Sequence, residues 1–308
     1  MNIRGHHHIS IYTKDAQRNK AFYTEILGLR LVEKTVNQDN TSMYHLFFGD
    51  ETGSPGTLLT YFEIPNVGQP KRGTDSIYRF SLLIPDNESL EYFKKRLTQH
   101  DVEWNELTYL NQPAISFEDV DGVEVILLVN DNYEMPHEWQ GNSYSDIPEQ
   151  YQILGMGPVE LRLRDAQATI DFLKNVLEYE ERQDFNETVM TLDKKGLYTD
   201  FVVKEEQGDR ARQAQGYIHH IAVKTPTDDD LKEIFERIDA EPRNNSGIID
   251  RYFFRSLYYR KNGILYEFDT EEPGFTVDTP KEELGNKLNL PEFLEPKREE
   301  IESKLKEL

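Results

Sequence analysis

Eight histidines occur in the chain, at positions 6, 7, 8, 45, 100, 137, 219 and 220, and five of them fall in two clusters. The first cluster opens the segment GHHHISI at 5–11, and the second opens GYIHHIAV at 216–223. A tag remnant would not run directly into an alternating apolar segment or have a partner elsewhere in the chain. A lone histidine on an apolar strand is more often a satisfied core residue, but two clusters in matching contexts favour metal ligation. Strand alternation puts one histidine of each cluster on the inward face, and His8 and His220 are the equivalent pair. A third donor lies in GILYEFDT at 263–270, where Glu267 sits among Ile264, Leu265, Tyr266 and Phe268. An ionised carboxylate in such a strand needs a cation or a hydrogen-bonded partner. Two histidines and one carboxylate with open positions form the facial triad of non-haem Fe(II) oxygenases. The same set admits Mn²⁺, and a Zn²⁺ or Ni²⁺ hydrolase or isomerase stays open.

The elements that must carry these residues repeat along the chain. Residues 8–29, HISIYTKDAQRNKAFYTEILGL, match 158–179, PVELRLRDAQATIDFLKNVLEY, without a gap: Asp15, Ala16, Gln17, Phe22 and Leu27 fall on Asp165, Ala166, Gln167, Phe172 and Leu177. Each is an alternating strand followed by an amphipathic helix. Two weaker copies follow the same order at 79–102 and 219–240, the latter with Thr227 or an adjacent Asp as N-cap. After each helix come short β-rich runs, the last one starting at a glycine: GTLLTYFE (56–63), GVEVILLV (122–129), GLYTDFVV (196–203) and GILYEFDT (263–270). The predicted unit is βαβββ, used four times, an α+β chain. Counting from the glycines aligns Thr60, Ile126 and Asp200 with Glu267, while about Phe80 and Pro158 take the place of His8 and His220. Modules one and four therefore offer the donors, and modules two and three offer no histidine. The predicted domains are 1–135, with modules one and two, and 150–275, with modules three and four. A charged tail at 276–308 follows, with Ile301, Leu305 and Leu308 at helical spacing for a docking surface helix.

Composition narrows the partners. With 35 basic and 57 acidic residues in 308, the formal charge of −22 argues against nucleic acid or an anionic membrane surface. The absence of cysteine excludes disulfides, thiolate metal sites and a cysteine nucleophile. No signal-peptide core and no stretch of 18 apolar residues is present in the sequence, so the expected compartment is the cytoplasm.

The residues resemble the vicinal oxygen chelate superfamily of glyoxalases, extradiol dioxygenases and fosfomycin- or bleomycin-resistance proteins. More narrowly the chain is similar to the ring-cleaving dioxygenases that open para-hydroquinones, on the Gram-positive branch linked to quinone resistance. The carriers are HHIS at 7–10, YHLFFGDETGSPGTLLTYF at 44–62, IHHIAV at 218–223 and DRYFFRSLYYRKNGILYEFDTEEPGF at 250–275. The resemblance implies two open mixed β-barrels, with modules one and four pairing around the metal. It implies Fe(II), or Mn(II), on His8, His220 and Glu267. It further implies parts in the chemistry for His7, His219, Arg251 and Tyr258, with His219 or Tyr258 as the base and Arg251 stabilising an anion. In a regular strand, however, His7 and His219 would face away from the metal. His45 reads as a core histidine near Thr60, and His100 and His137 as surface.

The implied reaction is O₂-dependent cleavage of a hydroquinone ring in quinone detoxification, with a small aromatic substrate and O₂ as partners and monomer or homodimer left open. A glyoxalase-type metal isomerase or thiol transferase is the first rival, and it would need a carboxylate where Thr60 stands. A non-enzymatic aromatic- or drug-binding protein is the second, and such proteins generally lack the triad.

Overall fold

A computed structural model describes residues 2–308. Module one consists of β1 (His6–Thr13), α1 (Ala16–Ala21) continuing into a wider π turn over Phe22–Ile26, β2 (Arg30–Asn37), β3 (Asn40–Gly49) and β4 (Leu58–Glu63). Module two has β5 (Ser76–Ile84), α2 (Asn87–Gln99), β6 (Trp104–Tyr109), β7 (Gln112–Glu118) and β8 (Glu124–Val129). Module three has β9 (Gly155–Leu163), α3 (Ala166–Asn175), β10 (Glu180–Glu181), β11 (Val189–Thr191) and β12 (Phe201–Glu205). Module four has β13 (Ile218–Lys224), α4 (Asp228–Asp239), β14 (Ile248–Asp250), β15 (Arg255–Lys261) and β16 (Ile264–Asp269).

The repeated Asp-Ala-Gln of modules one and three has a local cause. Asp15 and Asp165 are N-caps, each accepting the backbone N–H three residues on, from Arg18 at 3.0 Å and Ala168 at 3.3 Å. Asp86 caps α2 in the same way, and Thr227 with Asp230 makes a reciprocal capping box on α4. One strand face is apolar and packs under the helices: Ile9 and Ile11 of β1, Phe80 and Leu82 of β5, Val159 and Leu161 of β9 and Ile221 of β13 join Phe93, Phe172 and Ile234 in one core.

Two mixed sheets result, and neither closes. Modules one and four form β2–β3–β4–β1–β13–β16–β15–β14, with β1 antiparallel to β13. Modules two and three form β6–β7–β8–β5–β9–β12–β11–β10, with β5 antiparallel to β9. A single pairing, Ile218 with Ile77, links the sheets. The expected α+β architecture and the pairing of the first module with the last are both present.

The second sheet departs from the glycine count. Its β12 starts only at Phe201, because residues 196–200 form turns, and Val202 rather than Asp200 lies across from Glu160. Bulges in the β5–β9 ladder put Arg79, not Phe80, on the inward face. There Glu160 is bound by Arg79 at 2.8 Å, Arg162 at 2.9 Å and Lys204 at 3.3 Å, so an internal ion cluster fills the space.

The tail covers the first sheet. Phe275 and Leu284 pack with Val32, Phe47, Leu58, Phe253 and Phe254. Helix α5 (Arg298–Glu302) is only five residues long, and its buried Ile301 docks with Leu290 and Leu294 on Val36. At the start of β4, Gly56 has φ +99° and donates its N–H to the His7 carbonyl at 2.7 Å. A Cβ there would stand 2.3 Å from the Trp139 ring. Gly56→Ala is expected to cost roughly 1–3 kcal/mol through strain and overpacking, read as a lower urea midpoint with unchanged slope.

Candidate metal centre and its cleft

The ladder between β1 and β13 explains why histidines come in adjacent pairs. Between His6 and His8 the first strand takes two steps while its partner takes one, from Val223 to Ala222. Between His220 and Ile218 the second strand takes two steps while β1 takes one, from Ser10 to Ile11. A bulge therefore falls at His7 and another at His219, and bulges re-aim side chains. Instead of pointing to the opposite face, each extra histidine stands behind its neighbour: His7 Nδ1 is 3.1 Å from His8 Nδ1, and His219 Nδ1 is 2.8 Å from His220 Nδ1.

The other ring nitrogens converge. His8 Nε2 lies 3.1 Å from His220 Nε2 and 3.5 Å from Glu267 Oε2, and His220 Nε2 lies 2.8 Å from that same oxygen. Three donors about 2.1 Å from one centre at right angles would be about 3.0 Å apart, which these spacings match. All three residues are buried, and Glu267 Oε2 has no aligned hydrogen-bond donor. A buried, unsatisfied carboxylate oxygen beside two imidazole nitrogens fits a divalent cation. Burial alone would raise the Glu267 pKa, but the His220 and His8 rings outweigh it and hold the carboxyl well below its usual range.

Around this point opens a cleft of about 520 Å³, its open mouth included. His8, His220 and Glu267 form its polar end, while Phe47, Phe62, Phe253 and Phe254 supply aromatic walls. Arg251 and Tyr258 also line it, with Arg251 Nε 3.3 Å from the Tyr258 hydroxyl oxygen. The Asn262-Gly263 turn, both residues at positive φ, sets the register that puts Tyr258 directly across from Glu267. Burial and the nearby Glu267 carboxylate push the Tyr258 hydroxyl well above its usual range, so it is a proton-bearing group.

His7 and His219 do not line the cleft. Burial, then the neighbouring His220 and Arg260, lower His219 to about 3, and its ring stacks on Tyr12 with centroids 5.3 Å apart. His45 does line the cleft, between Phe47 and Phe62, and lies 3.1 Å from Thr60 Oγ1. Thr60 is also 2.5 Å from Ser10 Oγ, so the place opposite Glu267 belongs to a hydroxyl network. His6 stays in the core, within 3.2 Å of the Asp200 carbonyl, and His100 and His137 are exposed.

Asp269 escaped the sequence reading. Two residues beyond Glu267 on β16, it shares the inward face and approaches His8 Nδ1 to 3.3 Å. Its parity with Glu267 in an apolar strand was the available signal. His7, His8 and Asp269 make a second three-donor group, but His7 and Asp269 are outside the cleft lining.

Residues 5–127 match the profile of the Glyoxalase/Bleomycin resistance protein/Dioxygenase superfamily. Over 99% of both chains the sequence is 38% identical to MhqA of Bacillus subtilis (strain 168), provisionally described as a ring-cleaving dioxygenase. The chain belongs to this superfamily. Among its ring-cleaving dioxygenase relatives is the chlorohydroquinone/hydroquinone 1,2-dioxygenase of Sphingobium indicum, 27% identical over 97% of this chain and 95% of that one. The crystal structure of a provisionally assigned Bacillus subtilis dioxygenase superposes with a TM-score of 0.92 at 28% identity, covering 100% of this chain and 98% of the other. The superfamily fold and a ring-cleaving dioxygenase family are thus shared along nearly the whole chain. Among the described residues no helix is long and apolar enough to cross a membrane.

Proposed function

We propose that the protein is an Fe(II)-dependent dioxygenase that cleaves the ring of a hydroquinone, in cytoplasmic quinone and hydroquinone detoxification. The observation that carries this reading is the convergence of His8, His220 and Glu267 at the floor of an aromatic-walled cleft. The named activity of the Sphingobium relative supports the substrate class. Fe(II), with Mn(II) as the alternative metal, would be held by His8, His220 and Glu267.

When bound, the metal supplies the path by which electron density passes from the aromatic ring to O₂. The phenylalanines grip the ring faces and exclude water, directing one substrate hydroxyl to the polar end. His45, a neutral imidazole in the wall, takes that hydroxyl's proton. Arg251 balances the resulting anion, and Tyr258 donates a hydrogen bond to the oxygen that gains charge. His219 orients His220 from behind, and His7 stands behind His8. The bond between a hydroxyl-bearing carbon and its neighbour breaks. Both atoms of O₂ enter the product, leaving a carboxyl and an aldehyde group with no external reductant.

Oxygen consumption tests the reading. The metal-free protein is loaded anaerobically with Fe(II) and offered 2-methylhydroquinone, catechol or no substrate. Equimolar O₂ and hydroquinone consumption, faster than with catechol, is expected. With iron shown to be bound, uptake no higher than the control for every dihydroxy-aromatic would sink it. A glyoxalase-type isomerase is disfavoured because Thr60 presents a hydroxyl to Ser10 and His45 where that chemistry needs a carboxylate.

A further inference from the structure

We infer that Asp269 is the positioning residue for His8, turning the imidazole so that Nδ1 faces inward and Nε2 is presented to the cation. This inference rests on the cation-binding reading above. Asp269 is completely buried, and its two carboxylate oxygens have different surroundings. Oδ1 accepts a hydrogen bond from Ser256 Oγ at 2.6 Å, directly across the β15–β16 ladder. The main chain is pinned as well, since the Asp269 carbonyl accepts from Thr225 through N–H at 2.7 Å and through Oγ1 at 2.8 Å. Oδ2 has no aligned hydrogen-bond partner; it stands 3.3 Å from His8 Nδ1 and 3.8 Å from His7 Nδ1, which is itself 3.1 Å from His8 Nδ1.

A buried carboxyl oxygen left in that state is costly, and the nearest nitrogen able to turn an N–H to it is His8 Nδ1. Placing the proton on Nδ1 leaves Nε2 with a free lone pair, on the side where His220 and Glu267 converge. The two effects reinforce each other. A cation on Nε2 draws density from the ring and strengthens the N–H···O contact, while the carboxylate behind makes His8 the better donor. His220 has no such support, because only an imidazole stands behind it. The two histidines are therefore unequal ligands, with His8 the one backed by a carboxyl group as well as an imidazole.

Co(II) binding to the metal-free protein tests this, read by equilibrium titration and by the ligand-field absorption of the bound ion. Asp269→Ala is expected to raise the dissociation constant about 10–100-fold and to change the spectrum. Asp269→Asn keeps the shape and an acceptor but not the charge, so it should fall between wild type and alanine. Ser256→Ala, which frees the carboxylate to turn, should move both readouts in the same direction by less. Circular dichroism confirms that each variant is folded, and the near-isosteric asparagine variant carries the test if alanine does not fold. Should wild type bind Co(II) and both Asp269 variants match its affinity and spectrum, the inference is overturned and the metal site stands. If wild type itself binds no Co(II), Fe(II) or Mn(II), the metal reading falls and this inference with it.

Discussion

Replacing Glu267 with glutamine is expected to abolish cation binding and oxygen uptake together while leaving the fold intact. Glutamine fills the same volume and can still pair with His220, so the metal-free protein should unfold at a urea midpoint close to wild type. What disappears is the only formal negative charge among the three converging donors. Two neutral imidazoles and an amide are a poor set for a hard divalent ion. The stabilisation by metal is the cleanest readout. A ligand at 100 times its dissociation constant adds about 2.7 kcal/mol to the folded state. Wild type should therefore gain several degrees in Tm with Mn(II) or Fe(II), and the variant should gain none. Oxygen uptake should fall by roughly 10³-fold or more, because the charge stabilisation supplied by the metal goes with it. A variant that kept the metal-induced shift would remove Glu267 from the ligand set.

The second large effect lies away from the cleft. Glu33 on β2 is buried under the tail, where Asn289 donates to Oε2 at 3.2 Å and Oε1 has no partner. Burial, only partly offset by the Asn289 hydrogen bond and reinforced by Asp278, pushes its pKa from 4.5 up to about 8. The folded state thus keeps a proton that the unfolded chain releases between these values. The stability tied to Glu33 is fully present below the unfolded pKa. It is lost progressively as pH rises and reaches its floor above the folded one. Glu33→Gln removes this dependence. Wild type and variant should be similar near pH 4 and diverge towards pH 8, where the variant is expected to be more stable by roughly 2–4 kcal/mol. Urea midpoints across that range measure the difference, and parallel curves for the two proteins would show that the carboxyl ionises freely in the folded state.

Much of the site was legible because its signals are local and repeated. The Asp-Ala-Gln repeat marks helix starts, the glycines mark final strands, and Glu267 is conspicuous in a strand otherwise made of Ile264, Leu265, Tyr266 and Phe268. The parts that were not legible depend on a partner strand. A bulge is a mismatch between two strands, so no property of His7 or His219 alone announces that each will swing behind its neighbour. The late start of β12 similarly moved the inward position from Asp200 to Val202, and the bulged β5 exchanged Phe80 for Arg79. Glu33 became notable only when Asn289 and Asp278 of the tail came to lie against it.

The pairing of the first strand with a strand of the last module sets an order in time. His8 leaves the ribosome early, whereas His220 follows 212 residues later and Glu267 later still. At roughly 5–20 residues per second that first interval alone is roughly 10–40 s. During it the nascent chain carries only one of the three converging donors. The convergent set of His8, His220 and Glu267 is thereby complete only once the last module has been made.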